Sequence, residues 1–195
     1  MIVRLALAPL LPLPLLLLLA ASPARAQEGA AGPQGAEPGP RDFYVNVFVG
    51  AAWPVGNMNV YYDPGIVAGG RGEYPISALV RVGGQLSYHS FDAERPGTMD
   101  NEGIILMQAF AKALGQWGPY YPFALLGLGA YVSKERETSA RRWDGGLQVG
   151  TGLEYPVSEH LTVNTGVSFH MVLRGGEESD YFWLEGYLGF LFRQP

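Results

Sequence analysis

The stretch 161–171, LTVNTGVSFHM, alternates between apolar and small or polar side chains along most of its length. In an extended strand, one face would hold Leu161, Val163, Thr165, Val167, Phe169 and Met171, and the other Thr162, Asn164, Gly166, Ser168 and His170. A period of two residues is typical of a β-strand whose two faces meet different surroundings. The stretch therefore predicts a strand in a sheet with one apolar and one polar side.

Similar segments of about ten residues follow one another after Arg41, and this is the length that a tilted strand needs to cross a bilayer. We predict eight strands, at 43–53, 65–74, 78–91, 104–114, 120–133, 144–155, 160–173 and 181–193. The connections at 75–77, 115–119 and 156–159 are short, whereas those at 54–64, 92–103, 134–143 and 174–180 are longer or more charged. This alternation predicts an all-β fold, an eight-stranded antiparallel up-and-down transmembrane β-barrel with both barrel termini in the periplasm.

An internal repeat agrees with this strand count. Residues 73–77, EYPIS, recur as 154–158, EYPVS, at an offset of 81 residues, and the match continues as far as His89 and His170. The offset spans four predicted strands, which is half of the barrel.

Charged residues within the strands indicate which face is inside. Aromatic residues on the apolar face lie near strand ends, as in the interfacial girdles of membrane barrels. An Arg or Lys facing lipid at mid-bilayer would cost ~2–4 kcal/mol. We therefore expect a paired polar interior with three positive and three negative residues: Arg71, Arg81, Lys112, Glu73, Glu154 and Glu185. The alternative is a soluble lipocalin-type barrel with its apolar face inward.

The N-terminal region predicts export. Residues 5–21 are almost wholly apolar, and Ala24-Arg25-Ala26 has the small-x-small pattern of a signal-peptidase site. We expect a signal peptide at 1–26, a flexible periplasmic leader at 27–41 and the barrel at 42–195. Without Arg4 and Arg25, 11 basic residues face 18 acidic ones, a net charge of −7. Such a balance makes nucleic acid an unsuitable partner.

Several short motifs resemble those of the small outer-membrane β-barrel superfamily that includes OmpA-like and OmpX-like domains. They are FYVNV at 43–47, WPVG at 53–56, PFALLGLG at 122–129, GTGLEY at 150–155 and GFLF at 189–192. The resemblance implies a location in the bacterial outer membrane, contact with its lipid and lipopolysaccharide, and insertion by the barrel assembly machinery. A terminal aromatic residue is the assembly signal in that superfamily, which points to Phe192, although three residues follow it here. We expect a monomer.

Three functions are compatible with these features. The first is a structural or surface-interaction barrel without catalysis. The second is a narrow channel for small or apolar solutes, with space opened by the inward glycines Gly83, Gly127, Gly129, Gly166 and Gly189. The third is a lipid A-modifying enzyme that uses Ser168, His170 and Glu185, or the repeat-related Ser87 and His89.

No cofactor or metal site is expected from the sequence. The three histidines are scattered along the chain and predict no metal cluster. Asp92, Glu94, Asp100 and Glu102 lack the spacing of a calcium loop.

Overall fold

The computed structural model describes residues 42–93, 102–134, 141–174 and 180–194. The predicted signal peptide at 1–26 and leader at 27–41 lie outside the described residues. Within the described ranges, no helix is both long enough and apolar enough to cross a membrane.

Eight antiparallel strands form a closed barrel in which each strand pairs with its neighbours in sequence and the last pairs with the first. They are β1 (Phe43–Val55), β2 (Tyr62–Ser77), β3 (Val80–Ala93), β4 (Glu102–Leu114), β5 (Tyr121–Lys134), β6 (Arg141–Pro156), β7 (Leu161–Leu173) and β8 (Tyr181–Gln194). A 3₁₀ helix, Gly56–Val60, lies between β1 and β2. The predicted fold class is confirmed, and closure leaves no exposed sheet edge.

The two ends of the barrel differ in their connections. At one end, called the turn end, β2–β3, β4–β5 and β6–β7 are joined through 78–79, 115–120 and 157–160, and β1 begins and β8 finishes there. Gly118, with φ 56°, supplies the left-handed residue of the β4–β5 turn. At the opposite end, called the loop end, the connections are 56–61, 94–101, 135–140 and 174–180.

The predicted loop at 54–64 is wrong in extent, because β2 already begins at Tyr62 and only a short 3₁₀ helix separates it from β1. The β2–β3 register shifts between Asp63 and Ile66, where Pro64 and Gly65 lie. A bulge accepts a proline because it does not require the missing N–H. Residues that favour a loop in the sequence are therefore part of a strand.

Burial along β7 shows which face is inside. Asn164, Ser168 and His170 are buried, whereas Val167 and Phe169 are 53% and 38% exposed. Leucines and valines of the other strands are also exposed on the outside. The polar face lines the interior and the apolar face is external, so the soluble-barrel alternative is wrong.

Exposed aromatic side chains form two bands around the outside. At the turn end they are Phe43, Tyr74, Tyr120, Tyr155 and Phe192, and at the loop end Trp53, Tyr88 and Trp143. Bands of this kind sit at the two membrane–water interfaces of outer-membrane barrels.

Candidate functional site

A four-residue ion-pair cluster, here called the turn-end cluster, fills the barrel interior near the short turns. Lys112 Nζ donates to Glu73 Oε1 at 2.6 Å and to Glu154 Oε1 at 2.7 Å. Arg81 contacts the same two carboxylates, at 3.3 Å from Glu73 Oε2 and 3.0 Å from Glu154 Oε2. The two positive and two negative charges balance, which is what burial of ions in a narrow barrel requires.

Above this cluster, the guanidinium of Arg71 lies between two aromatic rings. Its Cζ is 4.5 Å from the ring centres of both Phe48 and Tyr187. Arg71 donates from Nε to Gln85 Oε1 at 2.6 Å and from one terminal nitrogen to the Tyr187 hydroxyl at 2.8 Å. Amide hydrogen bonds then continue across the interior through Gln85, Gln108 and Gln148.

The third layer is a histidine centre formed by His89, His170 and Glu185. The two imidazole rings meet edge to face, with their centres 5.2 Å apart. Glu185 Oε2 lies 3.1 Å from His170 Nε2 and 3.8 Å from His89 Nε2. The Ser87 hydroxyl lies 3.1 Å from His89 Nε2, and the Tyr131 hydroxyl lies 3.2 Å from His170 Nδ1. All three members are fully buried.

Of the six charged residues predicted to face inward, four form the turn-end cluster. Arg71 and Glu185 approach each other to 3.8 Å, which links the middle layer to the histidine centre without a hydrogen bond. All six lie in the interior, in two separate groups.

The expectation that the three histidines are scattered is wrong for two of them. His160 is exposed at the β6–β7 turn, but His89 and His170 are packed against each other. The 81-residue repeat contained the signal that could have found this pair. Its offset equals half of the barrel, so β3 faces β7 and β2 faces β6 across the interior. Equivalent residues therefore meet near the barrel axis, as Glu73 and Glu154 also do.

An apolar cluster closes the interior at the loop end. Its members are Ala52, Met58, Tyr62, Phe91, Ile104, Leu106, Tyr131, Val172, Tyr181 and Trp183. Met58 comes from the 3₁₀ helix between β1 and β2 and is fully buried. Trp183 stacks on His170 with 4.8 Å between ring centres and 7° between planes. Apolar packing therefore seals the histidine centre from the loop end.

Side chains from other strands occupy the space beside the inward glycines. A Cβ at Gly127 would lie 2.6 Å from Gln108 Oε1, and one at Gly166 would lie 2.7 Å from the Tyr187 hydroxyl. At Gly189 it would lie 2.8 Å from the oxygens of two asparagines. These glycines make room for long neighbouring side chains, and they do not open the space that a channel was expected to use.

Two adjacent glycines of β3 show the same difference between the two faces. A Cβ at Gly83 would overlap the carbonyl oxygen of Gly72 and lie 2.9 Å from the Phe110 ring. A Cβ at Gly84, which faces outward, would have Gln108 O at 3.7 Å as its nearest neighbour.

The arrangement expected of a hydrolytic triad is not formed. Both ring nitrogens of His170 already have partners, Tyr131 and Glu185, so neither is available to Ser168. Ser87 and Glu185 both face the same nitrogen of His89. A triad needs the nucleophile and the acid at opposite ring nitrogens.

Phe192 lies on the outside of β8, where it is 40% exposed. It pairs with Val45 of β1 and Leu161 of β7. The strand continues to Gln194, and Arg193 donates to Asp42 Oδ2 at 2.6 Å. The predicted assembly residue is therefore followed by two further paired residues.

Comparison with known proteins agrees with this architecture. Neisserial surface protein A is 16% identical, covers 77% of this chain and 96% of its own, and has a TM-score of 0.62. The N-terminal β-barrel domain of Pseudomonas aeruginosa OprF is also 16% identical, with 78% and 97% covered and a TM-score of 0.54. Outer membrane protein OprG from Pseudomonas aeruginosa is 12% identical, with 78% and 95% covered and a TM-score of 0.52. At these identities the similarity concerns the fold alone.

No protein of curated function matches the sequence significantly. The family described as outer membrane protein beta-barrel domain matches residues 13–181, which is most of the chain. The chain is accordingly located in the bacterial outer membrane, and it belongs to the outer membrane protein beta-barrel domain family.

Proposed function

We propose that the chain is a non-conducting outer-membrane barrel whose role, structural or in surface interaction, is carried by its loop end. The observation that supports this proposal is the filled interior. The turn-end cluster, the Arg71 layer, the histidine centre and the apolar cluster follow one another along the barrel. Eight strands enclose a space that side chains can fill, and the layers of interior side chains support a closed barrel.

The orientation follows the general rule for outer-membrane barrels, in which short turns face the periplasm and longer connections face outward. The loop end would then lie at the cell surface. Three of its connections contain ERPGTMDN at 94–101, ERETSA at 135–140 and GGEES at 175–179. Charged segments on a rigid scaffold are typical of surfaces that meet other molecules. Export through cleavage of residues 1–26 and insertion as a monomer among lipopolysaccharide complete the proposal.

Conductance separates this proposal from the channel alternative. The purified, folded barrel is added to a planar lipid bilayer, and a larger porin serves as the positive control. We expect no current steps above the leak of the bare bilayer. Reproducible steps that scale with protein concentration would contradict the closed interior.

Cysteine labelling in intact cells tests the orientation, because the chain contains no cysteine of its own. Asn59 is exposed in the 3₁₀ helix at the loop end, and Gln116 is exposed in a turn at the opposite end. We expect a membrane-impermeant maleimide to label Asn59→Cys in intact cells. Gln116→Cys should react only after the outer membrane is permeabilised. The opposite result would invert the barrel and remove the loop end from the surface.

Complementation tests whether the loop end carries the role. The three segments quoted above are replaced with Gly-Ser sequences of equal length, and heat-dependent migration in SDS gels checks that the barrel is folded. We expect this variant to fail to restore the wild-type phenotype to a strain in which the gene is deleted. The outward-facing Gly84→Ala variant should restore it. Full restoration by the loop-replaced chain would refute the proposal.

A lipid A-modifying activity is tested directly by mass spectrometry. We expect the lipid A of cells that overproduce the chain to match that of cells that overproduce Ser168→Ala. A modified species found only with the wild-type chain would show catalysis.

A further inference from the structure

The histidine centre brings three metal-binding side chains to one point near the barrel axis. One ligand atom from each of His89, His170 and Glu185 lies within 4.8 Å of the other two. Two imidazoles and one carboxylate are a donor set found in zinc sites and in other transition-metal sites. We propose that His89, His170 and Glu185 bind one divalent transition-metal ion, such as Zn²⁺, inside the barrel.

The two distances between the carboxylate and the imidazoles are close to those of a zinc site. Zn²⁺ lies about 2.0–2.2 Å from nitrogen and oxygen ligands, which puts the ligands of a tetrahedral site about 3.3 Å apart. Glu185 Oε2 is 3.1 Å from His170 Nε2 and 3.8 Å from His89 Nε2. The Ser87 hydroxyl, 3.1 Å from His89 Nε2, can supply the fourth ligand or hold a water in that place. The three ligand atoms lie within 4.8 Å of one another, so the side chains must move closer together when the ion binds.

The surrounding residues orient the ligands. Metal-bound histidines usually bond through their second ring nitrogen to a fixed partner. His170 Nδ1 has this contact with the Tyr131 hydroxyl at 3.2 Å, while its Nε2 faces Glu185. The Trp183 indole stacks on the His170 ring and packs edge to face against His89 at 5.2 Å. Both imidazoles are thus held with the same kind of nitrogen, Nε2, directed at the carboxylate.

Arg71 determines which carboxylate oxygen of Glu185 is available to an ion. The guanidinium of Arg71 lies 3.8 Å from Glu185 Oε1, which leaves Oε2 directed at the two imidazoles.

The position of the site predicts when the metal must bind. The apolar cluster covers the centre toward the loop end, and the Arg71 layer and the turn-end cluster cover it from the other side. An ion therefore enters while the barrel forms, and exchange from the closed barrel is slow.

The experiment compares full-length mature protein that is refolded into lipid vesicles either with excess Zn²⁺ or with a chelator. Loosely bound ions are removed on a chelating resin, and zinc is measured by elemental mass spectrometry. We expect one zinc per barrel after refolding with Zn²⁺, and little uptake when Zn²⁺ is added to barrels already folded with chelator. Refolding with Co²⁺ should give the visible absorption bands of a cobalt ion in a low-symmetry site. It should also quench the fluorescence of Trp183, which is the part of the tryptophan emission that the Trp183→Phe variant lacks.

The matched variants are His170→Gln and His160→Gln. We expect His170→Gln to lose the zinc, whereas His160→Gln, changed at the exposed histidine of the β6–β7 turn, keeps it. Migration in unheated SDS gels shows whether each variant is folded, and if His170→Gln does not fold, the cobalt spectrum of the wild-type barrel decides. The proposal would be overturned if wild-type barrels carry no zinc after refolding with Zn²⁺. It would also be overturned if His170→Gln and His160→Gln lose zinc to the same extent.

Discussion

Substitution of Lys112 with methionine should be among the most destabilising single changes in this barrel. The ammonium group donates to Glu73 and Glu154 at 2.6 and 2.7 Å, and all three side chains are buried. Methionine has a similar length but no charge. In Lys112→Met, the two carboxylates would share Arg81 alone, and the cluster would change from neutral to a net charge of −1.

The magnitude follows from this imbalance. Removing one partner of a buried ion pair costs about 3–5 kcal/mol, because the remaining charge stays in a poorly solvated place. Glu73→Gln in the Lys112→Met background restores neutrality, since Arg81 and Glu154 then remain 3.0 Å apart. The double variant should therefore be more stable than Lys112→Met. The sum of the losses in unfolding free energy of the two single variants should exceed the loss of the double variant by about 0.5–3 kcal/mol. This is the usual range for residues in one ionic network.

The assay is an equilibrium urea titration of the refolded barrel in lipid vesicles, followed by tryptophan fluorescence and by the fraction that migrates as the folded form in unheated SDS gels. Wild type, both single variants and the double variant complete the cycle. A loss of less than about 1 kcal/mol for Lys112→Met would refute the reasoning, because it would match an exposed ion pair. Strict additivity of the two substitutions would refute it as well.

Three further predictions concern the packing, the lipid face and assembly. Gly83→Ala should destabilise the barrel by about 1–3 kcal/mol in the same titration, because the added methyl group overpacks the interior. Gly84→Ala should have little effect, and equal effects of the two substitutions would contradict the assigned faces. Leu126→Arg, in the middle of the outer face of β5, should cost about 2–4 kcal/mol in vesicles while Leu126→Met costs little, and a tolerated arginine would place this position outside the bilayer core. Phe192→Ala should lower the amount of folded barrel in the outer membrane, measured by immunoblotting of membrane fractions, more than Phe190→Ala on the same face, and similar amounts would remove Phe192 as the assembly signal.

The strands were predictable where alternation is uninterrupted. The predicted strand at 160–173 corresponds to β7, Leu161–Leu173, and the one at 181–193 to β8, Tyr181–Gln194. Both stretches place apolar residues outside and polar or large aromatic residues inside with few breaks. A membrane barrel imposes this period physically, because lipid and a polar interior lie on opposite faces of every strand.

The start of β2 was not predictable in the same way. Pro64 and Gly65 are typical of turns, yet they lie at a bulge within the strand. Proline and glycine mark both kinds of irregularity, and only the pairing partner distinguishes them. Burial of Met58 in the 3₁₀ helix also depends on the closed barrel around it.

The histidine centre was only partly contained in the sequence. The repeat relates His89 to His170, and a half-barrel offset in so narrow a barrel brings repeat partners face to face. Glu185 has no such relation, since the residue 81 positions earlier is Ile104. Its place beside the imidazoles depends on the stagger between β7 and β8, where Ser168 pairs with Glu185. Local patterns do not determine this register.

The seam between β1 and β8 bears on how the molecule is made. The two strands pair from Phe43 with Gln194 to Val55 with Phe182. Because β8 is the last of the eight strands to be synthesised, the barrel cannot close before the earlier strands have been made. Until then, the backbone of β1 has an open edge on its β8 side, which is a hazard for any sheet. We expect a chaperone, or a strand that a partner supplies temporarily, to cover that edge in the cell. The pairing of β1 with β8, which closes the finished barrel, is then also the assembly step that requires another protein.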